Sequence, residues 1–321
     1  MQKLQKILIP VARSIHHFKI DHIETVRAEF AEKTRTHSSI VQLTPGGLAY
    51  SGTWVELPGI RIEWNRLDSR VRARDVQEEW GILFGFALPG STAFNFRGLT
   101  VENDMSFLYR NGSRMDYLAG PGMCSLIVCV QDHHLDSRGW RPGRGSFRRV
   151  NPSNLAALRD ACTRATGAAE WNDDIERAST NEILKSLELA LGPWFASGEP
   201  PLPRKNGAFH FEVVEDVEKF WIQSGSAKVP SIQDILDRVA VPERTLFHAF
   251  RQSVRMGPIR YLKLLRLHNL RDHLLQADPK RDTITEIAHA MGFEQLGRLA
   301  EYYKRQFVET PLQTLNRQAP E

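Results

Sequence analysis

Two stretches in the last third of the chain repeat one pattern, and that repeat narrows the possible folds more than any other feature. In Ser231–Phe250, SIQDILDRVAVPERTLFHAF, Ser231 is a helix N-cap, and Ile232, Ile235, Leu236 and Val239 form an apolar stripe. Ala240-Val241 make a turn, Pro242 opens a second helix, and Leu246 and Phe250 anchor it four residues apart. In Thr283–Tyr303, TITEIAHAMGFEQLGRLAEYY, Thr283 is the cap and Ile284, Ile287, Ala288 and Met291 are the stripe. Gly292-Phe293 make the turn, and Leu299 and Tyr303 are the anchors. One long helix, Pro258–Gln276, joins the copies. Pro230, Pro242, Pro258, Pro279 and Pro311 stand at first-turn or turn positions and cut the region into about seven short helices.

A helix pair crossed at a tight turn, with its second helix held by apolar anchors, is the economy of a helix-turn-helix. The outer face of that second helix is left free to enter a major groove. In the first copy the free face carries Arg244, Phe247, His248 and Arg251; in the second it carries Gln295, Arg298, Glu301 and Lys304. Arg reads guanine edges, Gln reads adenine, Glu accepts from cytosine, and Phe meets a thymine methyl. A plain helical bundle with solvated charges explains one copy as well as a DNA reader does. Two copies in series favour the reader.

The same residues resemble a family. Ala240-Val-Pro-Glu-Arg-Thr-Leu-Phe-His-Ala-Phe250, Gly257-Pro-Ile-Arg-Tyr-Leu-Lys-Leu-Leu-Arg-Leu267 and Gly292-Phe293 with Tyr303-Lys-Arg-Gln-Phe307 and Thr310-Pro311 are similar to the DNA-binding domain of the AraC/XylS regulators. The resemblance covers roughly 209–316. It is nearest the ethanolamine-operon regulator branch, through Gln295-Leu-Gly-Arg298 and Pro311-Leu-Gln-Thr-Leu-Asn316. It implies that both second helices enter successive major grooves of promoter DNA, and by position it adds Leu296 to the reading set. It also implies a cupin-like sensor in front, a small-molecule effector, helices that pair subunits into a homodimer, contact with RNA polymerase, and activation as the mode. Three positions depart from the family pattern: Glu301 stands where Arg is common, Val308-Glu309 replace a glycine turn, and Leu315 replaces a Tyr.

The front of the chain reads differently. From about Ser39 to Gln131, short runs such as Ile40–Leu43, Trp80–Leu88, Thr92–Phe96, Met105–Tyr109 and Ser125–Val130 are broken by Gly, Pro and Asn, which predicts a sandwich or small barrel. Ile62 and Trp64 alternate with Arg61, Glu63 and Asn65, the pattern of a strand with one wet face. Asn151-Pro152 opens a helix with Leu155, Leu158, Cys162 and Ala165 on one side, and a second helix runs from near Thr180. The expected organisation is α+β: a β-rich cupin-like domain over 1–135, a helical segment over 136–197 for dimerisation, a Pro-rich linker over 198–208, and an all-α DNA-binding domain with two helix-turn-helix units over 209–321.

Net charge is +4, and from Pro203 onward eighteen Lys and Arg stand against fifteen Asp and Glu, which fits a nucleic-acid partner without establishing one. The three cysteines, Cys124, Cys129 and Cys162, form no CxxC and read as reduced core thiols. No apolar run is long enough to span a bilayer or serve as a signal peptide, so the expected location is cytoplasmic, with no membrane partner. No GxSxG, Walker loop or strand-to-helix GxGxxG occurs, and no enzyme activity is expected.

His16-His17, His22, His37 and His133-His134 lack the HxH…E…H spacing of a cupin metal site, so no metal or cofactor is assigned. The strand aromatics Trp54, Trp64, Trp80, Phe84, Phe86, Phe94, Phe96, Phe107 and Tyr109 read as core, with a ligand-lining role as the lesser alternative. Arg138–Arg149 carries five arginines and no acid; a solvated loop is the preferred reading, with Arg144 and Arg148 as candidate anion contacts. Two rivals to the regulator stand: a cupin-type metal-dependent enzyme, and a constitutive DNA-binding protein whose front domain only dimerises.

Overall fold

A computed structural model describes residues 14–23, 25, 39–77, 80–96, 99–102, 104–141, 146–168, 171–196 and 207–317. It has the expected α+β organisation, a sheet-rich N-terminal part followed by a helical C-terminal part. The strands are β1 (Ser14–Ile20), β2 (Ser39–Gln42), β3 (Tyr50–Leu57), β4 (Ile60–Leu67), β5 (Val71–Gln77), β6 (Ile82–Ala87), β7 (Phe94–Phe96), β8 (Leu99–Val101), β9 (Met105–Arg110), β10 (Ser113–Ala119), β11 (Met123–Val130) and β12 (Ser146–Arg149). They form a seven-stranded sheet ordered β1-β3-β4-β11-β6-β9-β12 and a five-stranded sheet ordered β2-β5-β10-β7-β8, with antiparallel pairing throughout.

Strand alternation distributes the side chains among three layers. Between the sheets lie Tyr50, Trp80, Phe94, Phe96, Phe107, Tyr109 and their neighbours. The outer face of the larger sheet presents Ile60, Ile62, Phe84, Phe86 and Leu108 to three helices, α1 (Asp132–Arg138), α2 (Pro152–Thr166) and α3 (Asp173–Ala196). The predicted stripe Leu155, Leu158, Cys162 and Ala165 is buried there, behind a helix capped by Asn151 with Pro152 at its first turn. The outer face of the smaller sheet, through Val41 and Leu118, packs on the helical region.

Two readings of the front half are corrected. Arg61, Glu63 and Asn65 do not face water; they are buried, and the apolar residues between them are covered as well. The alternation was real, but α2 and α3 cover the face with Ile62, while the polar face turns into the sandwich. There the Arg61 guanidinium pairs with Glu56 at 2.7 Å and lies 5.0 Å from the Trp80 ring and 5.6 Å from that of Trp54. The Arg138–Arg149 segment is not simply a solvated loop. Arg138 ends α1, and Phe147, Arg148 and Arg149 belong to the edge strand β12, because Phe147 has an apolar site to fill between the sheets. His133 and His134 sit on α1 with their rings 4.1 Å apart.

The proline-rich stretch 197–206 lies outside the described residues. From Gly207 the chain is helical: α4 (Gly207–Gln223), α5 (Ile232–Val239), α6 (Glu243–Val254), α7 (Pro258–Gln276), α8 (Ile284–Ala290), α9 (Leu296–Phe307) and α10 (Pro311–Leu315). Capping boxes open α5 (Ser231, Asp234), α8 (Thr283, Glu286) and α10 (Thr310, Gln313). No described helix is long and apolar enough to cross a membrane.

Candidate nucleic-acid interface

The two predicted helix-turn-helix units are α5–α6 and α8–α9. In the first, Ile235, Leu246, Ala249 and Phe250 are buried together with Tyr261 and Leu262 of α7. In the second, Ala288, Leu299, Tyr303 and Phe307 close on Leu270 and Leu274 of the same helix. Thus α7 serves both cores and sets the distance between the units. The turns differ in detail: Ala240 ends α5 at φ 50, a left-handed conformation a small side chain tolerates, whereas the second turn uses Gly292 at φ +73. A Cβ on Gly292 would lie 2.1 Å from the carbonyl oxygen of Ala227, so this turn touches the α4–α5 connection, just ahead of the first unit, at a point where only glycine fits. Arg266 of α7 closes the joint, its Nη1 donating to Ala227 O at 3.0 Å and Gly292 O at 3.2 Å, with the guanidinium 4.3 Å from the Phe293 ring.

Of the residues assigned to DNA reading, Arg244, His248 and Arg251 on α6 and Gln295, Arg298, Glu301 and Lys304 on and before α9 are exposed. Phe247 is half-buried, and Leu296 packs partly against the second core, so its side chain is divided between solvent and support. The His248 ring stands 4.7 Å, edge to face, from that of His210 on α4. Partial burial and the facing His248 hold the His210 imidazole below its ordinary range. Of the two candidate anion contacts, Arg144 lies outside the described residues, and Arg148 sits on β12 with its guanidinium 6.0 Å from the Trp194 ring.

Of the positions that depart from the resembled pattern, Val308 and Glu309 have defined settings. Val308 caps α9 at φ 62, where glycine would be easier. Glu309 is buried and takes ion pairs from Arg271 and from Arg317 at 2.5 Å, and Thr314 donates to it at 2.8 Å.

Contacts that tie this region to the smaller sheet had no signal in the sequence. Arg72 on β5 is 1% exposed and pairs with Asp116 at 3.1 Å and with Glu218 of α4 at 2.6 Å. Glu218 also takes Arg74 at 2.6 Å and a 2.5 Å hydrogen bond from the Tyr261 hydroxyl. Burial opposes the charge on Arg72, but Glu218, Tyr261 and Asp116 together outweigh it and hold the guanidinium above its usual value. A second tie reaches the other unit. Gln306 Nε2 donates to Gln42 O at 3.0 Å and Thr44 O at 3.1 Å, and Gly46 N donates to the carbonyls of Arg305 and Gln306. His268 Nε2 of α7 lies 3.0 Å from the same Gln42 carbonyl. The short segment around β2 therefore touches the second unit and the shared helix α7.

Comparison with known proteins agrees with this geometry for the C-terminal part: residues 235–317 match the helix-turn-helix domain family. Over 95 residues the chain is 33% identical to the probable thc operon regulatory protein of Rhodococcus erythropolis, covering 30% of this chain and 29% of that one. Over 91 residues it is 35% identical to the HTH-type transcriptional activator RhaS of Pectobacterium carotovorum subsp. carotovorum (strain PC1), covering 28% and 32%. The matched part thus spans about a third of the length of these relatives. Among solved structures, the AraC-like transcriptional activator CuxR aligns with TM-score 0.45 at 13% identity, over 86% of this chain and 100% of that one.

Proposed function

We propose that the chain is an effector-responsive transcription activator of the AraC/XylS type, working in the cytoplasm and binding promoter DNA through successive major grooves. The observation that carries this reading is the pair of helix-turn-helix units built on one shared helix, each presenting an exposed polar face on its second helix. Arg244, Phe247, His248 and Arg251 read the first groove, and Gln295, Leu296, Arg298, Glu301 and Lys304 the second. The helix-turn-helix family match and the regulator and activator names of the relatives support it. In this reading 1–135 senses a small molecule, 136–197 pairs two subunits, 198–208 links, and 209–321 binds DNA and meets RNA polymerase. No catalytic step is assigned. Placement beside the ethanolamine-operon regulators rests on the Gln295–Arg298 and Pro311–Asn316 segments alone.

The test is selection from a random duplex pool by the full-length chain at fixed, stated salt. Enrichment of two blocks about one helical turn apart supports the reading. A folded chain that binds no duplex overturns it.

A further inference from the structure

Between α7 and α9, bordered by Lys228 and Val229 ahead of the first unit and by Leu43 and Pro45 beside β2, runs a groove of about 990 Å³ whose lining includes six cations, Lys228, Arg260, Lys263, Arg266, Arg298 and Arg305, against a single carboxylate, Glu294. Arg266 is committed to the joint between the units, as its two carbonyl contacts show. The others stand on the rim and are exposed. Arg260 and Lys263 lie on successive turns of α7, and no ion pair among the described residues engages either of them or Arg298. A row of like charges with so little compensation repels itself, and a polyanion relieves that repulsion.

We propose that this groove seats the DNA phosphate backbone that passes between the two major grooves, with Arg260 and Lys263 as sequence-independent phosphate contacts. The proposal rests on the DNA-binding reading above and adds to it a surface outside both recognition helices. Three features support it. Arg298 belongs both to the second recognition helix and to the groove lining, so the groove is continuous with the surface that reads bases. Gly292 and Arg266, which form the joint with Ala227, line the groove, which places it along the helix that connects the two units. The free cations are on the shared helix, whose position relative to each unit is fixed by burial on both sides. Phosphate contacts set register and orientation without reading sequence, the role a surface between two reading heads can fill.

The test compares full-length wild type with Arg260→Gln/Lys263→Gln and with Arg298→Ala, titrated by fluorescence anisotropy against the selected operator and a scrambled duplex over a salt series. Both α7 side chains are exposed, and a thermal melt confirms that the double variant folds. The expected result is a log K against log salt slope shallower by about two, since each phosphate contact contributes about 0.9. Affinity should fall by the same factor on both duplexes, with base preference unchanged. Arg298→Ala is expected to alter preference at one position instead. A slope unchanged in the double variant overturns the proposal while leaving the DNA reading intact, and so does a changed preference at particular bases. If folded wild type binds neither duplex, the DNA reading fails and the proposal falls with it.

Discussion

Arg72 Nη1 lies 2.6 Å from Glu218 Oε1, joining the outer face of the smaller sheet to the first helix of the helical region, and both side chains are 1% exposed. Removing Arg72 leaves Glu218 with Arg74 and the Tyr261 hydroxyl and takes the ion pair from the buried Asp116, a loss that typically costs about 3–5 kcal/mol. Arg72→Met is expected to destabilise the chain by that order, and Arg72→Met with Glu218→Leu to recover part of it. Urea denaturation of the three proteins checks this; equal losses in the single and double variants would show that the pair is not coupled.

Val308 holds a left-handed backbone at the end of α9 and is 64% exposed, so its side chain has little packing to lose. The left-handed conformation costs a β-branched residue about 1–2 kcal/mol, and glycine's greater freedom in the unfolded chain takes back about 0.5–1. Val308→Gly should therefore stabilise the second unit by about 0.5–1 kcal/mol, read as a raised midpoint in denaturation.

Gly292 is the opposite case. Gly292→Ala adds a Cβ against a backbone carbonyl at a positive φ, and a cost of about 2–4 kcal/mol is expected. Because the carbonyl belongs to Ala227, in the connection that leads into the first unit, the spacing of the two enriched DNA blocks should broaden in a selection experiment. Unaltered stability and spacing would show that the units do not meet through this turn.

His210 titrates below its ordinary value of 6.5, through partial burial first and His248 second. A depressed folded-state value means that its contribution is complete above the unfolded value and is lost as pH falls through the folded one. His134 is lowered in the same sense, by burial first. Thermal stability should hold above pH 6.5 and decline below it, and His210→Gln should flatten part of that decline, which melting curves from pH 8 to 5 will show.

Leu246 and Arg298 separate scaffold from reading head. Leu246 is fully buried, and Leu246→Ala should cost about 2–5 kcal/mol by emptying a core position. Arg298 is exposed, so Arg298→Ala should leave the melting curve in place and weaken recognition of one base pair by about 1–3 kcal/mol. Melting curves and base preferences that respond together in either variant would contradict this division.

The helical half was legible because its signals are local. Ser231, Thr283, Pro258 and the stripes at three- and four-residue spacing each act within a turn or two, and the caps and the long helix fall where they predict. The front half was legible as strands, but not in its facing. Arg61, Glu63 and Asn65 alternate with apolar residues as a wet face would, and period two cannot say which face is wet when helices cover one and a second sheet the other. Most hidden were the ties between the parts. Arg72 and Glu218 are 146 residues apart, and Gln42 and Gln306 are 264 apart, so no window of sequence holds both ends of either contact. Of the residues assigned to DNA reading by position, Arg244, His248, Arg251, Gln295, Arg298, Glu301 and Lys304 are exposed. Phe247 and Leu296 are half-buried, and Leu296, at a helix start, is drawn toward the nearest apolar core.

The bonds from Gly46 and Gln42 grip α9 at Arg305 and Gln306, its C-terminal end, whereas Gln295 and Arg298 stand at the other. Those ends are about 15 Å apart at the usual helical rise. The helix is thus a lever with its handle at the sheet and its tip at the exposed residues proposed to read DNA. A tilt of about 10° at the handle moves the tip by about 2–3 Å at that arm length, roughly the reach of one hydrogen bond. On the proposed DNA reading, a displacement of β2 too small to unpair the sheet is enough to take Arg298 out of register with a base.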